Sequence, residues 1–306
     1  MNLLNFNHSI PSLFVLSFRV YQKNFIPIIF LTSILMTPAF LIGIAGWGET
    51  ESIIFFLSAH LLEGAVTLGI IGIAFGHFFP SLGILRSLRS FFFIGSIHVA
   101  ILQYLLFITG VMGLTLPFPL SIIVITIWLI GLLLTSMAQP VFVVESVRGI
   151  RALGRSIKLA RSNLSRVFLV LVISTVLQFF LFALIFSIFM PDLNLDLQKN
   201  EGEGLPILFS EILSDPRINQ AIRWAQYLVS LLFYPFASLL CTFLYFDLAK
   251  QQNHLNISHL EQMSNKLFGT PIQNTKDSDE SKEENILEPK DVKVIDPDRS
   301  IDDKEK

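Results

Sequence analysis

His60 and Glu63 are the first residues of this chain whose types and spacing could do chemistry. Three positions apart, they fall on one face of a helix, where an imidazole and a carboxylate share a proton or a hydrogen bond. The pair alone makes a poor metal site, because two ligands do not close a coordination shell. His77 and His98 stand nearer the ends of their apolar segments and do not complete it. Cys241, the single cysteine, lies in another apolar segment; it excludes an internal disulfide framework and any cysteine-built metal site, and reads as a small core residue. No nucleophile stands beside a base, so neither a catalytic residue nor a cofactor nor a metal is expected and the chain reads as non-enzymatic.

The elements that must position these residues are set by hydrocarbon. Of 306 residues 52% are hydrophobic and only 15% charged, 29 are phenylalanine, and the mean hydropathy is +0.63, a balance that fits lipid contact better than a soluble core. Apolar runs of about twenty residues or more, enough to cross a bilayer, recur at about 25–47, 53–79, 94–116, 120–144, 167–190 and 227–248. The stretch from Phe91 to Val144 is too long for one crossing, and the turn residues between Gly113 and Pro119 divide it in two. Backbone polar groups cannot go unpaired in lipid, and the alternating short segments of a barrel are absent, so the runs are helices. The expected fold is all-α: a polytopic membrane bundle of about six transmembrane helices.

Polar residues inside such spans carry the information, since a charge at mid-depth costs about 2.5–3.5 kcal/mol on insertion scales. At 1.5 Å per residue, Glu63 lies about 15 Å from the outer edge, Gln103 about 14 Å and Gln178 about 16 Å from the inner edge, all near the middle of a core about 30 Å thick. The shared depth predicts that Glu63 faces the bundle interior and hydrogen-bonds to Gln103 or Gln178 with His60 nearby, a layer that either glues helices or handles a proton or substrate. Gly72 and Gly76 form a Gly-x-x-x-Gly step and read as a close-packing helix face.

Charge orients the bundle. With the N-terminus inside, the cytoplasmic segments hold ten basic residues (Arg19, Lys23, Arg86, Arg89, Arg148, Arg151, Arg155, Lys158, Arg161 and Arg166), against three outside (Lys199, Arg217 and Arg223). Both termini are therefore expected in the cytoplasm. The first charge is Arg19, without the basic region and cleavage site of a signal peptide, so the first span is expected to be retained. Residues 1–268 form the membrane domain; from Gly269 onward, twelve acidic and seven basic residues without sustained apolar periodicity predict a disordered cytoplasmic tail over 269–306.

Residues 145–163, between spans four and five, are the most patterned stretch. At about 100° per residue, Val147, Ile150, Leu153, Ile157 and Leu164 fall on one face and Arg148, Arg151, Arg155 and Lys158 on another. This predicts a basic amphipathic helix at the cytoplasmic surface. Its cations are candidate contacts for anionic lipid headgroups or a partner, each worth about 1 kcal/mol near such a surface; otherwise the helix is a connector whose arginines enforce topology.

The same stretch, with Glu145, Ala152-Leu153, Arg155-Ser156, Leu159 and Asn163, resembles the signature of the membrane domain found ahead of some bacterial glycerophosphodiester phosphodiesterases and in stand-alone multi-pass proteins. The resemblance extends to residues 18–25, to 76–88 and to Leu244-Tyr245-Phe246-Asp247-Leu248, and so covers residues 1–260. Where the family follows this ending with an arginine-rich phrase, the chain has Ala249-Lys250-Gln251-Gln252-Asn253-His254-Leu255. The phosphodiesterase is a barrel of about 250 residues, and fewer than sixty follow Leu248, so no such activity is expected in cis. The resemblance implies a bacterial cytoplasmic membrane protein of six spans with no established activity of its own. The sequence thus reads as a structural, assembly or lipid-interacting component, with membrane lipids, anionic ones among them, or another membrane protein as partners and no nucleic acid; the alternative is a transporter or permease subunit using the mid-membrane polar residues.

Overall fold

The computed structural model describes residues 8–46, 48–88, 91–147, 149–189, 216–252 and 255–269. Arg148 and the tail after Gly269 lie outside the described residues, as does most of the connection between the fifth and sixth spans. Among the described residues there are eleven helices and no strand. They are α1 (Ile10–Lys23), α2 (Phe25–Ile44), α3 (Gly48–Ala74), α4 (Ser81–Leu88), α5 (Phe91–Gly113), α6 (Leu120–Thr135), α7 (Ala138–Glu145), α8 (Ile150–Ser162), α9 (Leu164–Phe189), α10 (Pro216–Gln251) and α11 (Ile257–Phe268). Six spans long and apolar enough to cross a membrane match the six expected runs, with α6 and α7 together forming the fourth. The chain is an integral, multi-pass membrane protein.

α3 and α10 form the centre. Over the most apolar stretch of each, 56% of the residues are buried inside the protein, against 11–33% for the other four spans, whose side chains look largely outward. α3 packs against α2, α5, α7 and α10, and α10 against α1, α2, α3 and α9. Leu62, Ala65 and Val66 of α3 and Leu239, Leu240 and Phe243 of α10 are buried in the same apolar core.

The four remaining helices, α1, α4, α8 and α11, gather at one end of the bundle, the end that also carries both termini of the described chain. Only α8 was predicted from periodicity; α1, α4 and α11 are too short and too mixed to stand out beside the spans. The Ser9 hydroxyl caps α1 by accepting from the Ser12 N–H, and Pro11 sits in its first turn, where a missing N–H costs nothing. α1 ends at Asn24, whose side-chain amide donates to Val20 O at 2.9 Å, and α2 starts at the next residue. Tyr21 pins α1 to α10 by donating to Leu232 O at 2.7 Å; burial pushes its phenol up to about 12, so it stays a donor through neutral pH.

Two details differ from the sequence reading. Gly72 and Gly76 do not form a seam between spans. A Cβ at Gly72 would lie 3.1 Å from Pro80 and 3.2 Å from Phe268, so this glycine makes room for the loop after α3 and for the last residue of α11, while Gly76 ends the helix at φ +89°, where a side chain would be strained. The fourth span is also broken between Thr135 and Ala138. Pro140 has no N–H to offer the Ser136 carbonyl, which removes one rung of the helix there.

Candidate functional site

Three groups of polar residues stand out among the described residues. The first is a seam between α3 and α10 in the membrane. His60 Nδ1 lies 3.5 Å from Glu63 Oε2, and their side chains are 15% and 14% exposed, so the pair faces the bundle as expected. One turn further, Thr67 Oγ1 lies 2.9 Å from Thr242 Oγ1, and each hydroxyl also reaches a carbonyl on its own helix, that of Glu63 or Ser238. Cys241, also on α10, is half-buried.

The glutamines do not join this seam. Gln103 Nε2 donates to Thr135 O at 2.8 Å, and Gln178 sits on α9 beside a crevice with Thr175, Phe179, Ser230 and Tyr234. No hydrogen bond links either to Glu63 among the described residues. Equal depth does not fix which way a side chain points around its helix, and Gln103 turns toward the break in the fourth span, where a freed carbonyl needs a donor.

The second group closes that break. Ser156 of α8 donates through its hydroxyl to Leu134 O at 2.8 Å and accepts from the Met137 N–H at 3.2 Å. Gln139 exchanges bonds with Ser96, donating to its carbonyl and accepting from its hydroxyl, both at 3.1 Å. α5, α7 and α8 are thus tied around the break by side-chain bonds.

The third group consists of two ionic clamps at the end where the short helices gather. Glu145, the last residue of α7, accepts from Arg155 Nε with both carboxylate oxygens, at 3.0 and 3.1 Å, and from the Tyr245 hydroxyl at 3.1 Å. A cavity of about 470 Å³ beside this clamp is lined by Glu145, Arg155, Asn256 and His259. The second clamp centres on Asp247, fully buried, which pairs with Arg166 at 2.5 Å and accepts from the His8 N–H at 3.3 Å and from Gln251 Nε2 at 3.2 Å. Arg166 also donates to the His8 carbonyl.

The predicted row of four cations is therefore not a row. Arg155 belongs to a clamp, Arg148 lies outside the described residues, and Arg151 and Lys158 stand exposed on α8. Within α8 the residues buried against the bundle are Ala152, Ser156, Leu159 and Ala160, whereas Ile150 is 77% exposed and Ile157, like Leu164 at the start of α9, faces outward. Residues 145–163 are not one helix: at the joint between α7 and α8, Ser146 at φ 56° and Gly149 at φ +53° break it, and the face that α8 turns inward is the one that carries Ser156 to Leu134 O and the Met137 N–H. Asp247 and Arg166 were not singled out from the sequence. The signal was present: a lone carboxylate at the end of one apolar span and a lone cation at the start of another must find partners.

Among the described residues no group of three His, Cys, Asp or Glu could hold a metal ion. No protein-family model matches the chain, and neither the curated proteins nor the solved structures give a match.

Removing one partner of the buried clamp leaves the other charged and alone. Arg166→Ala is expected to destabilise the protein by about 3–5 kcal/mol, whereas Arg166→Met combined with Asp247→Leu recovers most of that loss. Thermal unfolding in detergent reads the difference, and a single variant as stable as the double one would show that the pair does not hold this end together.

Proposed function

We propose that this chain is a non-enzymatic component of a bacterial cytoplasmic membrane that works at the lipid surface as a structural or assembly element, with both termini on the cytoplasmic side and kinship to the membrane-domain family it resembles in sequence. One observation carries the reading. The end of the bundle that bears α1, α4, α8 and α11 exposes apolar side chains beside cations: Phe18 next to Arg19, Leu82 near Arg86, and Ile150 next to Arg151. Such a surface matches the boundary between acyl chains and headgroups, which takes apolar groups and cations together. The ten-to-three distribution of basic residues supports a cytoplasmic position for this end, where anionic lipids attract cations.

A second reading is favoured by the seam between α3 and α10. A buried carboxylate beside a histidine in a span is a candidate for proton handling, and a broken fourth span nearby is a feature of transporters.

Three measurements test these readings. Single cysteines at Asn200 and Ser278, in a background lacking Cys241, should differ toward an impermeant thiol reagent on intact cells, with only the Asn200 position labelled; labelling at 278 reverses the orientation. Native mass spectrometry after mild extraction should find phospholipid enriched in anionic headgroups over the bulk membrane, and a bulk-like composition argues against a lipid-directed role. Glu63→Gln should leave folding and lipid content unchanged if the seam only joins helices, whereas a folded variant that no longer moves protons or solute in proteoliposomes would favour the transporter.

A further inference from the structure

A cavity of about 690 Å³ lies at the joint between α7 and α8, walled by Ile101 and Leu102 of α5 on one side and by Val147, Ile150 and Arg151 on the other, with His98 at its edge. We propose that this elbow is a discrete binding site for one anionic phospholipid, its phosphate held by Arg151 and the opening amides of α8 and its acyl chains laid along Ile101, Leu102 and Ile150. The inference rests on the lipid-directed reading above and gives it a place and a ligand class.

Depth is the first argument. His98 stands two turns into α5, which begins at Phe91, and Val147 lies two residues past the end of the fourth span at Glu145. The cavity therefore straddles the edge of the hydrocarbon, where phosphates meet acyl chains.

Charge is the second. Glu145, the carboxylate at this joint, is occupied by Arg155 and by the Tyr245 hydroxyl. Arg151 is exposed and has no ion-pair partner among the described residues. The clamp thus occupies the carboxylate that, among the described residues, stands at this joint, and leaves a guanidinium whose planar fork suits a phosphate.

The backbone supplies the third. Gly149 caps α8 without a side chain to accept from its first-turn N–H groups, which leaves the helix start open to an external acceptor. Gly149 is also what lets the chain turn here, at φ +53° with Leu102 at 4.0 Å from a would-be Cβ.

The apolar wall decides between lipid and soluble anion. Ile150 is 77% and Ile101 46% exposed, side by side with the cation. A free phosphate would use Arg151 and leave those side chains bare; a phospholipid covers both, and burial of its chains adds favourable free energy in proportion to area.

The test uses the full chain, delipidated in neutral detergent, titrated with short-chain phosphatidylglycerol or phosphatidylcholine and read by native mass spectrometry. The wild type should bind one phosphatidylglycerol in preference to phosphatidylcholine. Arg151→Gln should weaken that binding about fivefold, the worth of one cation at an anionic surface. Leu102→Trp, which fills the cavity and keeps every charge, should weaken it at least as much, while Lys158→Gln, outside the elbow, should change it less than about twofold. Equal losses from Arg151→Gln and Lys158→Gln with a harmless Leu102→Trp would overturn the site in favour of diffuse surface charge, and displacement of the lipid by inorganic phosphate would reassign it to a free anion. Wild-type binding that none of the variants alters would refute the elbow alone; a wild type with no headgroup preference would refute the broader lipid reading as well.

Discussion

A carbonyl freed inside hydrocarbon has to find a donor within the protein, and the break in the fourth span frees carbonyls close to the centre of the bundle. The response organises the neighbouring helices. Gln103 from α5 and Ser156 from α8 reach in to the break, and Gln139 locks α7 to Ser96. These bonds dictate how α8 must lie, since Ser156 has to point at Leu134 and Met137, and once that face is committed the others follow. Arg155 then falls beside Glu145, while Arg151 and Lys158 are turned outward. The same constraint operates on a smaller scale along every span, where Thr32, Thr37, Ser230 and Thr242 return their hydroxyls to carbonyls one turn back rather than leave them unpaired.

How much of this was legible in the sequence depends on the range over which a signal acts. Span number and place follow from length and hydropathy, which are local: all six runs were recovered, five of them within about five residues, while the sixth span begins at Arg217, ten residues before the expected start at 227. The His60–Glu63 contact is also local, three residues on one helix, and it forms. What failed needed a rotation angle or a partner from elsewhere. Gln103, Gln178 and Glu63 share a depth, but depth carries no azimuth. The helical wheel drawn through residues 145–163 assumed an unbroken helix, and the positive φ values of Ser146 and Gly149 void that assumption at its start. The break at Pro140 was not foreseen, and the bonds that close it come from α5 and α8, which no window around it contains.

Counting charges and locating them answer different questions. The basic residues on one side of the chain set the expectation for orientation whether or not they are paired, since topology is decided by segments as they insert. Availability to a ligand is another matter. Arg155 and Arg166 contribute to the count but are consumed by Glu145 and Asp247, and only the unpaired remainder, Arg151 and Lys158 among them, can meet a headgroup. A surface that looks uniformly basic in sequence is thereby reduced to a few addressable positions.

The Asp247 clamp joins parts of the chain that are made at opposite ends of synthesis. His8 and Asp247 are 239 positions apart, and Arg166 belongs to the fifth span. The bonds to Asp247 can form only once the sixth span is in place, whereas Arg166 can already hold the His8 carbonyl before that. Until then Arg166 has no carboxylate to pair with. The clamp therefore fastens the residues ahead of the first helix to the start of the fifth span and the end of the sixth, and is complete only in a chain that holds all three.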